Sequence, residues 1–221
     1  MKTLIGCFTG WQFPTRRARV RTTWMGLLDA MQIHGEARNF IPAFVFGARD
    51  VVRAEKLETA LFLPCPNEYA FLPMRTRLLC KWAVEVGFDG LWKIDDDTQI
   101  DIDRLINYSL ADSDYVGYPM INKPPAGREF CGWRAAEDEL CCDHLYASGN
   151  GYYLSRRAME IVANDLTMPT GPEDLLVGRV LNAAGIRLCW DRTHFHPFAE
   201  PGEEPGPGND WVYTSPKARE E

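Results

Sequence analysis

An apolar run that stops on three consecutive carboxylates constrains this chain more than any other feature. Leu91-Trp92-Lys93-Ile94 reads as a buried strand, Asp95-Asp96-Asp97-Thr98 follows it, and apolar residues resume at Ile100, Ile102 and Leu105. Three adjacent anions repel one another, so this strand end calls for a counter-charge. A divalent cation with oxygen ligands supplies it and can also hold a diphosphate. Strand alternation sets Asp95 and Asp97 on one side and Asp96 on the other, a D-x-D arrangement. The same residues also suit a solvated acidic turn leading into a helix cap.

The surrounding pattern alternates strands with helices. Strands are expected at Thr3–Phe8, Ile41–Phe46, Ala60–Leu63, Tyr115–Met120 and Tyr152–Ser155, with a strand-like Ile186–Trp190. Helices are expected over Thr15–His34, Val51–Leu57, Tyr69–Val86 (with Leu72, Leu78, Leu79, Trp82 and Val86 inward), Arg156–Asn164 and Glu173–Ala184. This order indicates an α/β domain with a mostly parallel sheet, in which ligands bind at the carboxyl ends of strands, where the Asp triplet lies. Residues Asn122–Asp143 form a Pro/Gly/Cys-rich excursion, expected as a loop or small hairpin over the site. One domain over 1–196 and an irregular Pro/Gly/Glu-rich tail over 197–221 complete the organisation, without repeats or a dividing linker.

At 221 residues, 46% of them hydrophobic, the chain can bury a full core. Its net charge of -7 weighs against a non-specific nucleic-acid surface, although Arg16, Arg17, Arg19 and Arg21 crowd one segment. No apolar run reaches the roughly 18 residues that span a bilayer, and Met1–Phe8 reads as a first strand rather than a signal peptide. Seven cysteines, an odd number with no C-x-x-C pair, suggest reduced thiols in a cytoplasm. Cys131, Cys141, Cys142 and His144 imitate a zinc cluster but fit no standard spacing.

Four further segments carry chemistry. The arginines follow the first strand, where cations suit a phosphate near a helix N-terminus or simply form a solvated basic face. Tyr146-Ala147-Ser148-Gly149-Asn150-Gly151-Tyr152 is a small-residue turn whose glycines allow positive φ or close approach to a ligand. Glu173 and Asp174 start a helix, where a carboxylate can cap, act as general base, or both. His194 and His196, spaced i,i+2, can complete a metal site with the Asp triplet.

Taken in order, these motifs resemble the β-1,3-glycosyltransferase family of β-1,3-galactosyltransferases and Fringe-type enzymes. They are Arg16-Arg17 with Arg21-Thr22-Thr23-Trp24, Tyr69 with Leu72 and Lys81, Lys93-Ile94-Asp95-Asp96-Asp97, Tyr146–Ser155, and Glu173-Asp174-Leu175-Leu176-Val177-Gly178. The resemblance implies a GT-A type, Rossmann-like fold with the D-x-D motif at a strand end. It implies a UDP-sugar donor and Mn2+ or Mg2+ held by Asp95, Asp97 and one of His194 and His196. Thr9, Arg16, Arg21, Lys93, Asp95, Asp96, Gly149 and Asn150 would line the nucleotide. Asp174, with Glu173 as the other candidate, would be the base of an inverting transfer to a hydroxyl-bearing acceptor, whether glycan, protein or modified nucleic acid.

The sequence reads without the membrane anchor and stem of animal members and without a clear disulfide framework, so a bacterial or viral cytoplasmic enzyme is expected. A nucleotidyltransferase is disfavoured because Thr9-Gly10-Trp11 is no Gly-rich phosphate loop. A non-catalytic glycan-binding module is disfavoured by the intact Asp95, Asp97, Glu173 and Asp174. Glycosylation of modified DNA bases by a viral enzyme remains an alternative, with Lys123, Arg128, Arg134 and the Arg16–Arg21 cluster to line a strand and Trp133 and Tyr118 to stack on a base or equally on a sugar ring.

Overall fold

The computed structural model describes residues 1–110, 113–120, 145–167 and 169–189, together with the backbone of 129–130, 133–134, 190 and 212–214. In chain order the strands are β1 (Thr3–Phe8), β2 (Phe40–Gly47), β3 (Glu55–Leu57), β4 (Ala60–Leu63), β5 (Gly90–Asp95), β6 (Thr98–Ile100), β7 (Tyr115–Met120), β8 (Glu129–Phe130), β9 (Trp133–Arg134), β10 (Tyr146–Ser155), β11 (Cys189–Trp190) and β12 (Val212–Thr214). The helices are α1 (Pro14–Val20), α2 (Gly26–Ile33), α3 (Leu72–Glu85), α4 (Ile102–Asn107), α5 (Arg156–Asp165) and α6 (Glu173–Ala183).

Eight strands make one sheet in the order β11-β7-β10-β5-β1-β2-β4-β3, and only β10 and β3 run against the rest. Alternating side chains feed two cores. Leu4 and Phe8 pack with Leu79, Ala158 and Leu176 on one face, and Ile5 and Cys7 with Trp24, Leu28 and Trp92 on the other. The mostly parallel α/β sheet expected from the sequence is thus the one observed. No helix among the described residues is long and apolar enough to cross a membrane.

Strand order creates the crevice. From β1 the chain steps to β2 and β4 on one side, then returns to place β5 on the other. Phe8 faces Val45 of β2 and Asp95 of β5 in register, so the carboxyl ends of β1 and β5 finish level at the switch point of the sheet, with β2 running two residues further to Gly47.

Several local expectations are corrected. Val51–Leu57 is not a helix: Val52 is exposed, with no core to turn toward, and Glu55–Leu57 pairs as an edge strand with β4. The expected single helix over Thr15–His34 breaks at Thr23 (φ −109°, ψ −115°), inside a π-turn over Arg21–Met25 that joins α1 to α2. There the Thr22 and Thr23 hydroxyls donate back to the Ala18 and Arg19 carbonyls, loosening the ladder. Val86 is exposed rather than inward. The Gly-rich segment is no turn but part of the ten-residue β10, whose pairing with β7 shifts register between Ala147 and Tyr152. Gly149 and Gly151 keep negative φ there. The strand expected over Ile186–Trp190 shrinks to Cys189–Trp190. In the 197–221 segment the backbone of Val212–Thr214 pairs antiparallel with β6. Of the 122–143 excursion, the backbone of 129–130 and 133–134 forms a small antiparallel pair.

Candidate active site

The carboxyl ends of β1 and β5 frame a cleft of about 150 Å³. Thr9, Gly10 and Gln12 of the β1–α1 turn line one wall, Asn67, Tyr69 and Arg75 another, and Asp95, Asp96 and Asp97 lie between them with Arg16.

All three aspartates face this cleft, although strand alternation separates Asp96 from its neighbours. Alternation holds only inside a strand, and β5 ends at Asp95, with Asp96 and Asp97 in the turn to β6. Asp96 is buried: its carboxylate accepts from the Thr9 hydroxyl at 2.6 Å and from Arg16 at 3.3 Å, and its carbonyl accepts from Arg19. Burial nevertheless raises its pKa. Arg16 also pairs with Asp97 at 3.5 Å. The arginine segment therefore supplies part of the counter-charge that the triplet requires. Arg21 goes elsewhere, stacking over the Phe44 ring at 5.4 Å.

A second cluster lies behind the triplet. The Lys93 ammonium, 1 % exposed, donates to Asp95 Oδ1 at 2.7 Å and to the Gly149 carbonyl, and pairs with Glu173 Oε2 at 3.5 Å. Burial opposes its charge, but Asp95 and Glu173 outweigh that and raise its pKa. Glu173 is buried and occupied, its Oε1 accepting from the Thr76 hydroxyl at 2.8 Å and from the Tyr152 hydroxyl. Asp174 accepts from the Gly149 amide at 3.1 Å and from the Leu175 amide at 2.9 Å. It keeps a window to solvent although protein surrounds it on most sides. Burial first, then the neighbouring Glu173, push its carboxyl up to about 6. Gly178 allows this placement: a Cβ there would overlap the Tyr146 side chain, so only glycine lets α6 lie this close to β10.

A galactosyltransferase family model matches residues 15–191, from α1 through β11. The chain belongs to the Galactosyltransferase family. No curated protein matches its sequence. Among solved structures, a glycosyltransferase involved in glycosylation of the major capsid of PBCV-1 is similar at 13% identity over 86% of this chain and 82% of that one, with a TM-score of 0.45. A197 from STIV is similar at 13% identity over 85% and 80%, with a TM-score of 0.39. The 2-C-methyl-D-erythritol 4-phosphate cytidylyltransferase from Thermus thermophilus is similar at 10% identity over 86% and 87%, also at 0.39.

In this galactosyltransferase-family chain Asp95 and Asp97 are the carboxylates that could hold a divalent cation. The region is short of positive charge: burial first, then Asp95 and Asp96, hold the Asp97 carboxyl up at about 6 even with Arg16 beside it. A hard cation fits that oxygen donor set. Among the described residues no group of three or more His, Cys, Asp or Glu is disposed to hold a metal. His194 and His196, expected as late ligands, lie outside the described residues, as do Lys123, Arg128, Cys131, Cys141, Cys142, His144 and the side chains of Trp133 and Arg134. Asn150 accepts a hydrogen bond from Thr98 through its carbonyl and does not line the cleft.

Sequence reasoning missed Arg75, Thr76 and Tyr152. Arg75, 2 % exposed, donates to the Thr9 carbonyl at 3.3 Å and the Asn67 carbonyl at 2.6 Å, tying the two walls of the cleft together. Lys81, the cation matched in this helix from sequence, is exposed and pairs with Glu85 at 4.0 Å. The available signal was Arg75 itself, a cation on the stripe Leu72, Thr76, Leu79, Ala83 that faces the core.

Proposed function

We propose that this glycosyltransferase moves a sugar from a UDP-sugar to an acceptor hydroxyl with inversion and with a divalent metal, Mn2+ or Mg2+. The observation that carries the reading is the pairing of an acidic cleft at the sheet's switch point with a second, partly solvated carboxylate, Asp174, tethered just behind it. Asp95 and Asp97 would hold the metal, which when bound offsets the negative charge that develops on the departing nucleotide.

Asp174 suits the base better than Glu173. Each carboxylate has both oxygens engaged, but Glu173 is buried and paired with Lys93, whereas Asp174 is part-exposed, holds only one backbone amide on each oxygen and has a carboxyl near 6, ionised at neutral pH yet basic enough to take a proton. In one displacement the acceptor oxygen bonds to the anomeric carbon, its proton passes to Asp174, and the bond to the UDP oxygen breaks with its electron pair on UDP. Attack opposite the leaving group inverts the anomeric centre. Thr9 and Arg16 hold Asp96 fixed at the cleft wall, and Arg75 holds the β1–α1 turn.

The test is UDP release from a panel of UDP-sugars with Mn2+, followed by the anomeric configuration of the product by proton NMR. Turnover with inversion supports the reading; a retained configuration removes Asp174 from the role of base.

A further inference from the structure

Lys93 joins the two halves of the site through three acceptors on three segments of the chain. Its ammonium has three protons, and Asp95 Oδ1 at 2.7 Å, the Gly149 carbonyl and Glu173 Oε2 at 3.5 Å surround it. The Gly149 residue that accepts from Lys93 donates its own amide to Asp174. Glu173, the residue before Asp174, is pinned on its other oxygen by Thr76 and Tyr152. One buried charge therefore touches the donor-side carboxylate, the backbone that orients Asp174, and the first residue of its helix.

We propose that Lys93 is a positioning residue that sets Asp174 relative to Asp95, acting through Gly149 and Glu173 without touching substrate. This rests on Asp174 as the base. The competing role is that of a counter-ion for Asp95 and the buried Glu173, which would leave the Gly149 amide protected whichever cation supplied the charge. The two roles differ in what geometry they demand. A counter-ion can be any cation in the same place, whereas positioning needs the compact ammonium that reaches all three acceptors, which the planar guanidinium of arginine cannot reproduce.

Two variants separate them. Lys93→Arg keeps the charge and changes the geometry. Lys93→Met with Glu173→Gln removes both charges together, and the new side-chain amide keeps a carbonyl oxygen to accept from Thr76 and Tyr152. The readouts are hydrogen exchange of the Gly149 amide, and kcat and KM for UDP release from the UDP-sugar that the panel identifies. Lys93→Arg is expected to melt near the native temperature, to lose at least about tenfold of Gly149 amide protection, and to lose at least about tenfold in kcat with donor KM within about threefold. The double variant, compared with Glu173→Gln alone, is expected to show the same two losses. Native Gly149 protection or native kcat in Lys93→Arg would overturn the proposal, and so would a double variant equal to Glu173→Gln. If the double variant does not fold, Lys93→Arg decides. The base assignment is checked separately by Asp174→Asn, and its failure would leave the Gly149 exchange result intact.

Discussion

The Thr9 hydroxyl donates to Asp96 at 2.6 Å, linking the carboxyl ends of the two adjacent parallel strands that open the crevice. Residues 87 positions apart in sequence are thereby locked at the switch point of the sheet. Thr9→Val keeps the shape and deletes the donor to a buried carboxylate. It is expected to cost about 2 kcal/mol in denaturant unfolding, with Thr9→Ser restoring most of it. An unchanged unfolding midpoint in Thr9→Val would show that Arg16 alone satisfies Asp96.

Asp174 and Glu173 should respond differently to loss of charge. Asp174→Asn removes the part-exposed carboxylate and is expected to lower kcat by about 10²- to 10⁴-fold with donor KM little changed. Glu173→Gln disturbs a network instead, and its loss in kcat should stay under about tenfold. Steady-state kinetics of the two variants, side by side, checks the assignment; the reverse order would make Glu173 the base.

Strands β1, β2, β4, β5 and β7 are legible in the sequence because each is a short apolar run bounded by Gly, Pro or charge. Of β10 only the Tyr152–Ser155 end is legible, because Gly149-Asn150-Gly151 has the composition of a turn and is carried as strand by pairing on either side, Tyr146 and Ala147 with β7 and Gly151 onward with β5. The break at Thr23 is likewise invisible to apolar spacing, which continues from Val20 and Trp24 to Leu28 without interruption. In the site, the Asp triplet announces itself by charge. The network of Thr76, Lys93, Tyr152 and Glu173 does not, since its members come from α3, β5, β10 and α6 and meet only after the sheet and helices have packed.

The raised carboxyl of Asp174 gives stability a pH dependence. Below about pH 4 the group is protonated in folded and unfolded chains alike and its contribution is whole. As pH rises from about 4 to 6 the unfolded chain releases its proton while the folded one keeps it on a buried group, so stability falls, by about 3 kcal/mol, and the loss is complete above 6. Thermal melts from pH 4 to 7 in chelator should show a steeper decline for the native protein than for Asp174→Asn. Parallel profiles would contradict the raised value.

Close packing of α6 on β10 makes Gly178 sensitive. Gly178→Ala places a methyl into the Tyr146 side chain and is expected to destabilise by about 1–3 kcal/mol, measured by chemical denaturation. A neutral effect would mean that α6 can shift outward freely, and with it Glu173 and Asp174.

The most direct test of the donor site is calorimetric titration of UDP into the native protein and into Asp97→Ala, each with Mn2+ and with chelator. UDP binding by the native protein is expected only when Mn2+ is present, with a large loss of that binding in Asp97→Ala. UDP binding that is the same with and without metal, or unaffected by Asp97→Ala, would contradict a metal-held nucleotide at the Asp triplet.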